Sequence, residues 1–132
     1  MKLRVISPQK RIYSSENVVE AYIPTKSGIV GILVGHEDLI SLLNIGEVRV
    51  KNKDSSEFEH ILVSGGILEV KDNDIIILAD EADLPHEVIK EETEKAIKMA
   101  EEKISSEPLS TELILLEKQL IYQKFKKEKA RI

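Results

Sequence analysis

FEHILVSGGILEVKDNDIIILADEAD, residues 58–83, carries three short apolar runs set apart by two clusters of turn-forming residues. The runs are Phe58–Val63, Ile67–Val70 and Ile75–Ala79; the separators are Ser64-Gly65-Gly66 and Lys71-Asp72-Asn73-Asp74. Glycine takes positive φ freely, and Asp-Asn is one of the few non-glycine pairs that suit a tight hairpin. The stretch therefore predicts three consecutive antiparallel strands, a meander. Beyond Asp83, at Leu84-Pro85, the apolar period changes from two to about 3.6 residues, the helical value. That change predicts one domain over residues 1–84 and a second over 85–132.

Upstream the same reading continues. Lys2–Ser7 predicts a strand with Leu3, Val5 and Ser7 on one side, stopped by Pro8, and Arg11-Ile12-Tyr13 a short edge strand. Val18–Ile23 alternates Val19, Ala21 and Ile23 against Val18, Glu20 and Tyr22. Gly28–Val34, Leu39–Leu43 and Glu47–Lys51 follow, separated by polar or glycine-containing turns. About nine short strands with no helix between them predict an antiparallel sandwich or barrel.

Downstream, His86–Ile104 predicts a helix with Ile89, Ala96, Ile97, Ala100 and Ile104 toward one face, and Glu91–Lys95 and Glu94–Lys98 spaced as i,i+4 pairs on the other. Ser105-Ser106-Glu107-Pro108 breaks it, and Ser110 or Thr111 can cap a second helix running to Lys129. That helix carries Leu113, Leu116, Leu120, Ile121 and Phe125. Two amphipathic helices joined by a short loop predict an antiparallel hairpin. So thin a hairpin cannot bury all its apolar residues by itself, so the sandwich or another protein should cover the remainder. The fold class is thus α+β: an N-terminal antiparallel β-sandwich, then a C-terminal antiparallel two-helix hairpin.

The totals exclude several functions. The 132 residues lack cysteine, which removes disulfides, thiolate catalysis and cysteine-held metals. A net charge of −5 and 4% aromatic residues argue against a nucleic-acid partner. No signal peptide or membrane-length apolar run occurs, so a soluble, cytoplasmic protein is expected. Charge is unevenly spread. Residues 118–132 hold six Lys or Arg against one Glu, whereas residues 1–84 and 85–117 are each −5. A basic helix end either complements the helix dipole or docks on an acidic partner, and both readings stay open.

Three tempting motifs fail on chemistry. Gly28, Gly31 and Gly35 lack the following Lys-Ser/Thr and helix of a phosphate loop. Consecutive His36-Glu37-Asp38 alternate sides on an extended chain and do not converge on a metal. Asp80-Glu81-Ala82-Asp83 spells a helicase signature, but no phosphate loop accompanies it. A hydrolase using His36, His60 or His86 lacks any nucleophile or metal-ligand spacing.

Ile23-Pro24-Thr25 leads into Gly28 and Gly31; Gly35-His36 precedes Leu39; Gly46-Glu47-Val48-Arg49-Val50 precedes Ser64-Gly65-Gly66-Ile67-Leu68-Glu69-Val70 and Ile77-Leu78-Ala79-Asp80; and Ala100-Glu101-Glu102 lies in the first helix. In this order and spacing the chain resembles, over almost its full length, the epsilon subunit of the bacterial F-type ATP synthase. The resemblance implies a ten-stranded sandwich and a helical hairpin in a non-catalytic central-stalk subunit, part of the rotor that couples ion flow to ATP synthesis. The sandwich would contact the gamma subunit and the c-subunit ring, with Gly28, Gly31, Gly35, His36, Gly65 and Gly66 as contact residues. The hairpin would be regulatory, folded on the sandwich or extended along gamma, and in many bacteria it inhibits ATP hydrolysis. Lys118, Lys124, Lys126, Lys127, Lys129 and Arg131 would match the acidic segment that the beta subunits of the alpha/beta hexamer present. No cofactor or metal is implied, and the location would be peripheral, at the cytoplasmic face of the plasma membrane, without insertion.

The chain departs from that pattern at two places. Pro-Gly-His-Ala-Pro-Leu is common in the family where this chain has Val34-Gly35-His36-Glu37-Asp38-Leu39, so a less rigid loop is expected. Some relatives bind ATP through Ile/Leu-Asp-x-x-Arg-Ala. Here those positions are Val88–Thr93, with Ile89 for the aspartate and Glu92 for the arginine, so nucleotide binding is not expected. A free-standing sandwich adaptor with a basic hairpin for an acidic protein is the alternative function.

Overall fold

In the computed structural model, which describes residues 1–106 and 111–130, ten strands form the first of two compact units, Met1–Leu84, and two helices form the second, Pro85–Ile132. The strands are β1 (Lys2–Ile6), β2 (Arg11–Ser15), β3 (Val18–Thr25), β4 (Gly28–Leu33), β5 (Leu39–Leu43), β6 (Gly46–Asn52), β7 (Phe58–Val63), β8 (Gly66–Lys71), β9 (Asp74–Ala79) and β10 (Ala82–Asp83). They hydrogen-bond in the order β10-β7-β6-β3-β5-β8-β9-β1-β2, with β4 also on β3. The sheet turns from one layer to the other where β3 meets β5 at a single pair, Thr25 with Leu43. Ala21, Ile23, Val48, Val50, Ile61 and Val63 from one layer and Leu3, Val5, Leu68, Val70, Ile75 and Ile77 from the other form one buried core. Side chains alternate across each strand, so a two-layer sheet with one apolar face per layer must close in this way.

The predicted meander forms only in its second half: β8 and β9 make a hairpin, but β7 pairs with β6 and β10, and Ser64-Gly65 carries the chain from one layer to the other, so β7 does not meet β8. Asp72 and Asn73 both take positive φ, 49° and 59°, as a two-residue hairpin of matching twist demands. The antiparallel expectation fails at one pair: β1 lies parallel to β9, Leu3 beside Ile75 and Val5 beside Ile77. The far edge is tied by side chains. Asn52 Nδ2 on β6 donates to the Tyr13 hydroxyl on β2 at 2.9 Å, and Ser15 Oγ donates to Asn52 Oδ1. Burial, ahead of its hydrogen bonds, pushes the Tyr13 hydroxyl above its ordinary pKa, so it stays neutral and able to donate.

Three expectations are corrected. On β3 the buried residue is Val18 and Val19 is exposed, because a bulge between Val18 and Glu20 resets the alternation. Ala82–Asp83 is a strand, on β7, and brings the count to ten where about nine were expected. Pro85–Glu87 forms a 3₁₀ turn, so the first helix, α1, runs Lys90–Ser106 rather than from His86. Ile89 then sits just outside α1, its carbonyl accepting from both the Thr93 N–H and Thr93 Oγ1, and its side chain is exposed while Val88 and Thr93 are buried.

The second helix, α2, spans Thr111–Lys129. Ser110, offered as a cap, lies outside the described residues. Ile121 is exposed and Tyr122 buried. Leu113–Leu116 are four consecutive apolar residues that cover the whole circumference of a turn, so period alone does not select a buried face here. Glu91 and Lys95 pair at 3.7 Å along α1 as their spacing predicts.

Candidate functional site

The six contact residues suggested on the sandwich do not form one site. Gly28 closes the β3–β4 turn, where Thr25 Oγ1 donates to its carbonyl at 2.6 Å. Thr25 pairs with Leu43 and Leu43 with Gly66, so Gly28, Gly65 and Gly66 share one end of the sandwich. Gly35 and His36 lie at the opposite end, in the turn before Leu39, where the Gly35 N–H donates to Asn73 Oδ1 at 2.7 Å. His36 N–H donates to the Leu33 carbonyl at 3.1 Å. Gly31 lies mid-strand on β4, where an added Cβ would come within 3.1 Å of the Tyr22 ring. The loop that lacks two prolines is thus held by Asn73 instead.

Between these ends lies a feature that alternation alone did not single out. On the outer face of the second layer Leu42, Ile67, Leu78 and Ile6 stand directly opposite one another across β5, β8, β9 and β1. Leu42 is 60% exposed, Ile67 44% and Leu78 49%, and Ile40, two residues along β5, is 75% exposed. The inner faces of β8, β9 and β1 are already buried in the core, through Leu68, Val70, Ile75, Ile77, Leu3 and Val5. An apolar row of this extent on a finished sheet is what a protein interface needs, because its transfer from water has no other outlet. The signal was present in Ile75-Ile76-Ile77-Leu78, an unbroken apolar run that must load both faces of β9.

In the hairpin the basic residues are largely engaged within α1 and α2. Lys127 Nζ lies 3.3 Å from Glu94 Oε1, Lys126 Nζ sits 5.1 Å from the centre of the Tyr122 ring, and Lys129 Nζ 6.0 Å from that of Phe125. Lys118 and Lys124 are exposed. Arg131 lies outside the described residues. A groove of about 630 Å³ between the helices is lined by Lys90, Lys124 and Lys127, by Glu94, Glu101 and Glu128, and by Ile97. Equal numbers of cations and anions give it no net attraction for a polyphosphate. Ile114, Leu115 and Ile121 on α2 are exposed as well.

The histidines are scattered. His60 pairs with Glu47, His86 lies 4.0 Å from Glu87, and His36 Nδ1 contacts the Glu37 carbonyl. Among the described residues no three of His, Asp or Glu converge as a metal site would require. No helix among them is long and apolar enough to cross a membrane.

Residues 1–85 match the family model of the ATP synthase delta/epsilon chain, beta-sandwich domain. The ATP synthase epsilon chain of Bdellovibrio bacteriovorus is 34% identical over 112 residues, covering 85% of this chain and 80% of that one. That of Thioalkalivibrio sulfidiphilus is 40% identical over 102 residues, covering 76% and 71%. Among solved structures, a chain in the OSCP/F1/c-ring part of the Euglena gracilis mitochondrial ATP synthase superposes with a TM-score of 0.72 at 28% identity, covering 92% of this chain and 76% of that one. A chain from the central stalk and c-ring of the Tetrahymena thermophila enzyme, at 17% identity and a TM-score of 0.53, shares the fold.

Proposed function

The chain belongs to the ATP synthase epsilon-chain family, and on that premise we propose that it is a non-catalytic central-stalk subunit whose sandwich is held against the gamma subunit and the c-subunit ring. It thereby couples ion flow through the ring to ATP synthesis in the alpha/beta hexamer, from the cytoplasmic face of the membrane and through protein partners alone. The observation that carries this reading is the row of Leu42, Ile67 and Leu78 on a sheet whose core is already complete. A torque-bearing part needs a rigid body with one adhesive face, and the closed sandwich with its outward row has that form. Gly28, Gly65 and Gly66 at one end, and Gly35 and His36 at the other, are the turns through which the ring and gamma would be met.

The hairpin is the regulatory element in this reading, restraining ATP hydrolysis through Lys118, Lys124, Lys126, Lys127, Lys129 and Arg131. Since Lys127 is paired with Glu94, docking on an acidic surface exchanges one weak exposed ion pair for another, and only the difference between the two sets the population. Co-purification from native membranes tests the whole. A tag on the full chain should recover alpha, beta and gamma subunits in stoichiometric amounts. A chain ending at Leu84 should recover them too, since the sandwich has its own core, but should leave ATP hydrolysis uninhibited. Recovery of an unrelated acidic protein instead points to the adaptor function.

We also propose that the hairpin does not sense ATP. Glu92 presents an anion where phosphate would require a cation, Ile89 sits outside the helix, and the interhelical groove is charge-balanced. Titration calorimetry of the isolated chain with MgATP should give no saturable heat. A dissociation constant in the micromolar range would refute this.

A further inference from the structure

The Gly46-Glu47-Val48-Arg49-Val50 segment contributes Val48 and Val50 to the core, and Gly46 fits against Pro24, where a Cβ would come within 2.8 Å of the Pro24 Cβ. That leaves its outward charges to be explained. Tyr22 of β3 stands directly opposite Arg49 on β6, and Arg49 opposite His60 on β7; Lys51 faces Glu20 on one side and Phe58 on the other. The Arg49 guanidinium carbon lies 5.0 Å from the Tyr22 ring centre and 5.4 Å from that of Phe58, while Lys51 Nζ lies 5.8 Å from the Phe58 centre. The two rings are 6.0 Å apart. Arg49 is exposed, and its guanidinium lies over both rings.

The carboxylates around it are engaged elsewhere. Glu20 accepts from the Tyr22 hydroxyl at 3.1 Å, Glu59 accepts from Asn52 Nδ2 at 3.1 Å, and Glu47 pairs with His60. The bond to Glu20, foremost, pushes the Tyr22 hydroxyl above its ordinary pKa, so the ring stays neutral beside the cation. An exposed guanidinium set over two rings is restricted in its motion, and its planar fork of N–H donors matches a carboxylate better than a mobile lysine does. We infer that Arg49, backed by Lys51, is a clamp for an aspartate or glutamate on a neighbouring subunit, a second protein contact on the sandwich face away from the apolar row.

The inference rests on the assembly reading, and its test separates the two. Parental chain and Arg49→Gln are added back to ATP synthase stripped of this subunit, at low and high salt. The Gln variant should bind about tenfold more weakly at low salt, with a flatter salt dependence and an unchanged melting temperature. Arg49→Lys combined with Lys51→Arg places one amine at the clamp. Carbodiimide coupling and mass spectrometry should then join position 49 to an acidic residue of another subunit. Equal binding by the parental and Gln chains overturns the clamp alone, as does coupling confined to this chain or Arg49-dependent binding to anionic lipid vesicles. A parental chain that does not rebind overturns both readings.

Discussion

Gly66→Ala is expected to destabilise the sandwich by on the order of 4 kcal/mol, a large share of the ~5–15 kcal/mol that holds a domain folded. Gly66 has φ +128°, and a Cβ there would lie 1.9 Å from the Leu78 carbonyl oxygen and 2.9 Å from Ala79 Cα. Both are backbone atoms of β9, which cannot swing aside as a side chain would. The β8–β9 pairing of Gly66 with Ala79 would have to part, taking the core residues Leu68 and Ile77 with it. Overpacking costs about 1–3 kcal/mol and an unfavourable φ another ~1–3. Gly28→Ala is the matched control. Its φ is +118° but no atom lies within 4 Å of the added Cβ, so only the backbone term applies, about 1–2 kcal/mol. Urea unfolding of the two purified variants compares them directly. A Gly66 variant no less stable than the Gly28 variant would mean that the close approach of β9 is not maintained in solution.

Ile67→Glu is expected to abolish assembly while leaving the sandwich folded. Ile67 is the centre of the outer row, with Leu42 on one side and Leu78 on the other. A dock over this row gains about 1.5–3 kcal/mol for each large aliphatic side chain it covers fully, and the already half-buried Ile67 contributes a part of that. An unpaired carboxylate at the centre reverses the sign, since it must be dehydrated without compensation. At least a hundredfold loss in affinity, about 2.7 kcal/mol, should follow. The side chain points away from the core, so the melting temperature should barely move. Leu42→Glu should act in the same direction. Normal incorporation of both variants into the complex would exclude the row as the docking face, and a collapse in melting temperature would show that it supports the fold instead.

What the chain disclosed in advance depended on the range of the interaction. The Asp72-Asn73 hairpin was legible because turn chemistry is local, and the strand-to-helix boundary at Leu84 because a change of period needs only a short window; Ser64-Gly65-Gly66 reads as a turn, but that β7 and β8 then part to different layers is set by distant strands. The parallel β1–β9 pair was not, because nothing in Lys2–Ile6 specifies a neighbour some seventy residues away. The bulge at Val18 shifts a strand pattern by one residue, and a one-residue shift exchanges buried for exposed; the 3₁₀ turn at Pro85 delays the helix from His86 to Lys90 and leaves Ile89 outside it. The candidate site divided in the same way. Glycines were visible as letters, yet Gly31, Gly46 and Gly66 are explained by the close neighbours Tyr22, Pro24 and Leu78. The Arg49 clamp draws on three strands and could not be read before their register was known.

That parallel pairing also sets a timetable for synthesis. β1 leaves the ribosome well before β9, yet it is sandwiched between β2 and β9, and β9 ends at Ala79. At about 5–20 residues per second the N-terminal strand must wait on the order of ten seconds for its partner. During that interval Leu3 and Val5 have β2 as a neighbour but no completed core to enter. The helical hairpin, translated after the sandwich, keeps the finished sequence of the sandwich tethered to the ribosome while closure proceeds.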